Sequence, residues 1–192
     1  MGQRSQIYIR YYDKYEEKIK LIARYYQWNW SNYMISRARW SLEWIKDNFE
    51  YMFKFEDELW RIMDINFDIH SVVPSSDLIK EYREYKKKYD KDILFRNFVF
   101  NNVDNNDGKL FIDINKDGKI SYCFTTYEDT FIPMEAEQYM IWDTKNCYEE
   151  YQWKNIKDKD KTTCRNIKKI EKLATLMTQE QLDDFLNYKY EE

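Results

Sequence analysis

The sequence predicts an α+β fold in a single domain over residues 1–192, with antiparallel hairpins packed against several helices. Three observations carry that prediction. Apolar and polar residues alternate with period two over Gln6–Tyr12 and again over Lys18–Tyr26. Helical spacing of apolar residues runs through 31–49 and through the last thirty residues. Between these regions, Asn115-Lys116-Asp117-Gly118 joins two short apolar runs as a hairpin turn would. No Pro- or Gly-rich linker and no low-complexity segment divides the chain, and 192 residues suffice for one well-buried core.

In order along the chain, the first element is an N-terminal hairpin. Ile7, Ile9 and Tyr11 share one face of its first strand, and Ile19, Leu21, Ala23 and Tyr25 follow in phase after the polar segment Asp13–Glu17. The same phasing places Tyr8, Arg10, Ile22, Arg24 and Tyr26 on a second, aromatic and basic face. Ser31 or Asn32 then caps a helix to about Phe49, with Met34, Ala38, Leu42, Ile45 and Phe49 as its apolar stripe. A shorter helical pattern covers about Phe55–Met63. Pro74-Ser75-Ser76-Asp77 opens a charged helix to about Tyr89, keyed by Ile79 and Tyr82. The composition of Ile93–Phe100 predicts a strand, followed by strands at 109–114 and 119–125. Glu135–Trp142 and about Thr162–Met177 read as helices, the latter keyed by Ile167, Ile170 and Ala174. A last helix, Gln179–Tyr188, is announced by Thr178 with Gln181 three residues on, a capping box.

Composition bounds the function. The chain holds 18 Tyr, 11 Phe and 7 Trp against 3 Gly and 2 Pro. Rings with a polar tip suit both packing and partner contact. Residues encoded by AT-rich codons (Lys, Asn, Ile, Tyr, Asp) are abundant, so base composition contributes to the tyrosine count. Charged residues make up 34% and mean hydropathy is −0.90. No apolar run approaches the roughly 18 residues of a spanning helix. The opening residues lack the apolar stretch of a signal peptide. They also miss the myristoylation pattern, because Gln6 stands where Ser or Thr is required. A soluble cytoplasmic protein without membrane contact is expected. Cys123, Cys147 and Cys164 are too few and too scattered for a disulfide framework or a metal knuckle, and are expected as reduced thiols.

Motifs for catalysis are scarce. Three glycines cannot build a phosphate loop, and His70 is the sole histidine, with no nucleophile arranged around it. Carboxylates are plentiful without forming a recognisable pair, so no catalytic residue and no cofactor is expected. Asp113-Ile-Asn115-Lys-Asp117-Gly118 matches a calcium loop at positions one, three, five and six, but position twelve, which needs a bidentate Glu, is Phe124. The hairpin turn is the better reading, and no metal site is expected. Asp104-Asn-Asn-Asp107-Gly108 reads as a polar turn before a strand.

Charge is unevenly spread on a net of −4. Residues 1–46 carry nine basic groups against four acidic, whereas 127–151 carry seven acidic groups against Lys145 alone. Two binding surfaces follow. One is an acidic and aromatic patch of Glu128, Asp129, Glu135, Glu137, Tyr139 and Trp142, suited to a basic groove that ordinarily holds nucleic acid. The other is a nucleic-acid platform of Arg10, Arg24, Arg37 and Arg39 with neighbouring rings, able to stack bases and neutralise phosphates.

Several segments carry a resemblance. These are Met1-Gly-Gln-Arg-Ser-Gln-Ile-Tyr-Ile-Arg-Tyr11, Tyr26-Gln-Trp-Asn-Trp30, Ile35-Ser-Arg-Ala-Arg39 and Asp104-Asn-Asn-Asp-Gly-Lys-Leu-Phe-Ile-Asp113. Over much of the first 125 residues the chain resembles small proteins encoded by phages and prophages of low-GC Gram-positive bacteria. Proteins of that kind resemble counter-defence factors, notably anti-CRISPR inhibitors of Cas9. The resemblance implies a non-enzymatic inhibitor in the bacterial host cell that binds the effector ribonucleoprotein and prevents DNA loading or cleavage. It attaches no functional residue to a position. The modest net charge departs from strongly acidic DNA mimics, leaving an allosteric or nuclease-locking mode open beside channel occlusion.

Overall fold

The structure, a computed structural model, describes residues 3–49, 55–66, 71–72, 75–89, 91–101, 106–127, 131–145 and 147–190. Its frame is a six-stranded mixed sheet formed by β1 (Arg4–Asp13), β2 (Lys18–Gln27), β5 (Ser75–Asp77), β6 (Lys109–Ile114), β7 (Ile120–Thr125) and β8 (Thr175–Leu176). A separate two-stranded ladder pairs β3 (Ile65–Asn66) with β4 (Ser71–Val72). The sheet order is β5-β2-β1-β6-β7-β8. Its two hairpins, β1–β2 and β6–β7, are antiparallel, and they join through the parallel pair β1–β6 at the centre.

Central strands buried on both faces must be apolar throughout rather than alternating. Ile7, Tyr8 and Ile9 of β1 and Leu110, Phe111 and Ile112 of β6 are accordingly all fully buried. Helices cover both sides. On one face, α1 (Ser31–Asn48), α2 (Phe55–Asp64), α5 (Ala136–Thr144), α6 (Trp153–Ile156) and α7 (Lys161–Leu173) pack on Ile7, Ile9, Ile22, Tyr26 and Ile112. On the other, α3 (Leu78–Lys88), α4 (Phe95–Asn101) and α8 (Gln179–Asn187) pack on Tyr8, Ala23, Phe111 and Cys123. Four of the five residues expected in the α1 stripe, Met34, Ala38, Leu42 and Ile45, are fully buried, while Phe49 is the half-buried C-cap beyond the helix. Met34, Leu42 and Ile45 each stabilise by roughly 1.5–3 kcal/mol on leaving water. Among the described residues, no helix is long and apolar enough to cross a membrane.

Two helix starts and one turn follow the sequence signals, but the start of α1 does not: its N-cap is Trp30, without a side-chain cap, and Ser31 and Asn32, expected as the cap, are already inside the helix. Asp77 caps α3 by accepting from the N–H groups of Ile79 and Lys80 at 2.9 and 3.2 Å. Thr178 and Gln181 form the reciprocal capping box of α8, at 3.2 and 2.8 Å. The turn between β6 and β7 is held by Asn115 Oδ1, which accepts from the N–H groups of Asp117 and Lys119, with Gly118 at φ +75°.

Three further expectations need correction. The strand expected over 93–100 is α4. Its buried residues Phe95, Phe98 and Val99 stand at i, i+3 and i+4, so helical spacing outweighed strand-like composition. The helix expected to Met177 stops at Leu173, and Thr175–Leu176 turn back as β8 beside β7. The hairpin faces are also exchanged. Four residues, 14–17, separate Asp13 from its partner Lys18, so odd residues of β1 oppose even residues of β2, as in Ile9↔Ile22 and Ile7↔Arg24. Tyr8 and Arg10 therefore lie on the face opposite Ile22, Arg24 and Tyr26, and no single aromatic and basic face exists.

Arg10 pins the second face. Its guanidinium donates from Nε and Nη2 to both oxygens of Asp113 at 2.7 and 2.8 Å, and from Nη1 to Asp184 at 2.8 Å. It also lies 4.9 Å from the Phe185 ring centroid. Removing one member of a buried pair leaves its partner uncompensated. Arg10→Met is expected to cost about 2–3 kcal/mol in urea unfolding. Asp184→Ala removes a side chain that is 68% exposed and is expected to cost less than about 1 kcal/mol.

Because Asp113 is spent on Arg10, the calcium-loop match loses its first ligand. Among the described residues no cluster of three or more His, Cys, Asp or Glu side chains is placed to hold a metal. Millimolar calcium is expected to leave the melting temperature unchanged; a rise of several degrees would restore the calcium reading.

Candidate interaction surface

The four arginines expected to meet nucleic acid are interior. Arg10, Arg24, Arg37 and Arg39 are 7, 8, 1 and 6% exposed. Arg24 donates to Asp64 and Ser75 and lies 4.5 Å from the Trp60 centroid. Arg37 donates from Nε to Asn29 at 3.0 Å and from Nη1 to the Met63 carbonyl, stacked 4.6 Å over Tyr26. Burial pulls its pKa below the usual guanidinium value. Arg39 pairs with Glu43 at 2.7 Å and covers Trp40. The interleaving of Arg with rings in the sequence is thus realised as internal cation–π contact. It leaves none of these guanidinium groups at the surface.

The acidic and aromatic patch divides differently. Glu128 and Asp129 lie outside the described residues, as does His70. Glu135 sits at the N-cap of α5, its N–H donating to Gln138 Oε1 at 3.0 Å, and Glu137 follows in the first turn. Both are exposed, a placement the helix dipole favours. Glu137 also faces α6: Trp153 Nε1 donates to it at 3.4 Å, and Lys157 Nζ stands 3.9 Å away. Tyr139 is fully buried, stacked 4.6 Å on Phe124, with its hydroxyl donating to the Asp107 carbonyl at 2.9 Å. It supports the surface from beneath and cannot itself touch a partner. Trp142 is half-buried, with ring centroids 5.9 Å from Tyr127 and 6.0 Å from Tyr139.

At the end of α5, Thr144 anchors the next segment. Its hydroxyl donates to the Met140 carbonyl at 2.6 Å and accepts from the Trp153 N–H at 2.9 Å. Before Trp153 a short 3₁₀ turn forms at Glu149–Tyr151. Tyr148 and Tyr151 stand 82 and 58% exposed there, beside exposed Glu149 and Glu150. The two tyrosines rim a groove of about 690 Å³ lined with Trp30, Met140, Cys147 and Ile156, among others. On the exposed side of α5, Ile141 is 55% exposed. A mainly apolar groove edged by tyrosines and carboxylates is suited to hold a partner's side chain while the acids steer it.

Near the groove lies a carboxylate pair that the sequence did not single out. Asp107 is 8% exposed and accepts from the Arg4 N–H. Asp143 accepts from the Ser31 N–H at the start of α1, but its Oδ2 is shut off from solvent with no hydrogen-bond partner among the described residues. Burial, together with the charge of Asp107, pushes the Asp143 carboxyl up to about 8. Burial raises Asp107 to about 6, against the Arg4 hydrogen bond. Both also raise the neighbouring Cys147 thiol, after the effect of burial.

Sequence reasoning counted Asp143 among surface acids, because nothing local marks a carboxylate that the fold turns inward. It passed over Tyr148 and Tyr151, although two tyrosines flanking two glutamates outside any helical period are a readable sign of exposure. Compared with protein-family models, with curated proteins and with solved structures, the chain gives no match.

Proposed function

We propose that this chain acts by binding, with the groove beside α5 and its tyrosine–glutamate rim taking a protein partner. The partner we assign is a bacterial CRISPR effector ribonucleoprotein of the Cas9 type, whose DNA loading or cleavage the bound chain blocks. The observation that carries the reading is the exposure of Tyr148 and Tyr151 on either side of Glu149 and Glu150, at the edge of an apolar groove. Tyrosine orders few torsions on binding and is enriched where interfaces hold their energy. Cas9-type effectors carry a positively charged channel for the guide–target heteroduplex. Carboxylates at Glu135, Glu137, Glu149 and Glu150 complement such a channel, and the sequence resemblance points to the same class of partner.

Size-exclusion co-elution with guide-loaded effector tests this, beside guide RNA alone and target DNA alone. About 200 mM salt weakens contacts made to phosphate only. At about 200 mM salt, co-elution with the loaded effector and not with free nucleic acid is expected. Retention at that salt by guide RNA alone, or by none of the three, would overturn the reading. Glu135→Lys with Glu137→Lys is expected to slow association about tenfold at low salt with the fold intact, because exposed rim charges act mainly on encounter.

A further inference from the structure

Helix α7 presents a second charged surface, of opposite sign. Its buried residues Thr163, Asn166, Ile167 and Ile170 lie on one side, and Ile167 and Ile170 join the same core as α1. Lys161, Arg165, Lys168 and Lys172 are all exposed. They stand at i, i+4, i+7 and i+11, one stripe on the side away from the core. At 1.5 Å per residue the stripe is about 16 Å long. Lys157 and Lys169 flank it, and together the six cations line a trough of about 550 Å³ in which Asp158 is the single acid.

Lys169 is engaged by Glu43 at 3.2 Å and Lys157 lies 3.9 Å from Glu137. Lys161, Arg165, Lys168 and Lys172 form no ion pair with any described residue. Like charges three and four apart on a helix destabilise it. A protein of net charge −4 therefore maintains an uncompensated basic stripe against its own helix stability. Residues 153–172 hold eight basic groups against three acidic, a local excess that a running charge count would have found.

We propose that this stripe binds the phosphate backbone of nucleic acid, independently of effector binding at the α5 groove. Its length matches about five charges of one duplex strand at about 3.4 Å each. The trough offers no Asn, Gln or aromatic side chain to base edges, so binding is sequence-independent. A membrane surface fits less well, because the apolar side of α7 is consumed by the core and the small side chain of Cys164 is the single apolar one among the described residues lining the trough. An acidic protein would lack an aromatic anchor there.

Fluorescence anisotropy of the full chain with a labelled duplex of about 20 base pairs tests the proposal. Affinity is expected to fall about a hundredfold between about 50 and about 200 mM salt, the slope of four neutralised phosphates. Joint Lys161→Gln, Arg165→Gln, Lys168→Gln and Lys172→Gln substitution keeps helix propensity and is expected to hold or slightly raise the melting temperature, because it relieves the like-charge pairs. It is expected to remove that salt dependence and to lower affinity about a hundredfold at about 50 mM salt. Lys161→Gln with Lys172→Gln alone is expected to halve the slope. No binding at low salt, binding unmoved by the four substitutions, or capture by vesicles of about 30 mol % phosphatidylserine but not by duplex would each overturn it.

Discussion

Gly108→Ala is expected to destabilise the protein by about 3–5 kcal/mol, read as a shift of the urea midpoint. Gly108 has φ +84°, where an L side chain is strained by roughly 1 kcal/mol or more. A Cβ there would stand 2.6 Å from the Thr125 carbonyl oxygen and 3.0 Å from Trp142 Cζ3. Trp142 can shift, but Thr125 is backbone in β7, held in register opposite Lys109. Relief therefore requires moving the start of β6 away from β7, or lifting α5 from the sheet. The second route also displaces the groove, so the variant is expected to lose partner binding at temperatures where it is still folded. Gly118→Ala is the control: it shares positive φ, but its nearest neighbour would be 4.0 Å away, so only the conformational cost of roughly 1 kcal/mol remains.

Asp143→Asn is expected to stabilise the protein, and only towards high pH. Its carboxyl is raised from an ordinary 3.8 to about 8 in the folded chain. Below the ordinary value both states hold the proton, and the residue contributes no pH dependence. Between there and about 8 the folded chain keeps a proton that the unfolded chain releases, so stability falls as pH rises. Above about 8 the loss is complete. The amide cannot ionise, yet it can still accept from the Ser31 N–H. The variant and the parent should therefore melt alike near pH 4 and diverge steadily, the variant gaining on the order of 5 kcal/mol by about pH 8.5. Equal melting at every pH would mean that Asp143 is solvated and ionised throughout.

Much of the frame was legible because its signals are local. Asp77, Thr178 and Asn115-Lys116-Asp117-Gly118 satisfy backbone donors within a few residues of themselves, and each marks the element boundary that the structure has. The α1 stripe was readable because one face of a long helix repeats. What escaped depends on distant parts of the chain. The parallel pairing of Ile9 with Ile112 joins residues about a hundred apart, and no local pattern announces it. The hairpin faces were misassigned for a smaller reason: the four-residue connection shifts strand phase by one, and side chains alternate with period two. Charge misled most. Arg10 and Arg24 read as surface cations until Asp113 and Asp64 come from elsewhere to meet them, whereas Arg37 and Arg39 meet Asn29 and Glu43 nearby and are buried by the packing around α1. The tyrosine excess splits in the same way. Tyr8, Tyr26, Tyr122 and Tyr139 fill the two cores, whereas Tyr148 and Tyr151 are left to solvent.

The decisive measurement is the affinity of guide-loaded Cas9-type effector for the chain and for its Tyr148→Ala, Tyr151→Ala variant, by biolayer interferometry. Both rings are mostly exposed, so the variant should melt with the parent. Two interfacial tyrosines worth more than about 1 kcal/mol each predict a loss of about a hundredfold, expressed chiefly as faster dissociation. Binding by the double variant within about twofold of the parent would contradict the assignment of the α5 groove as the effector-binding surface.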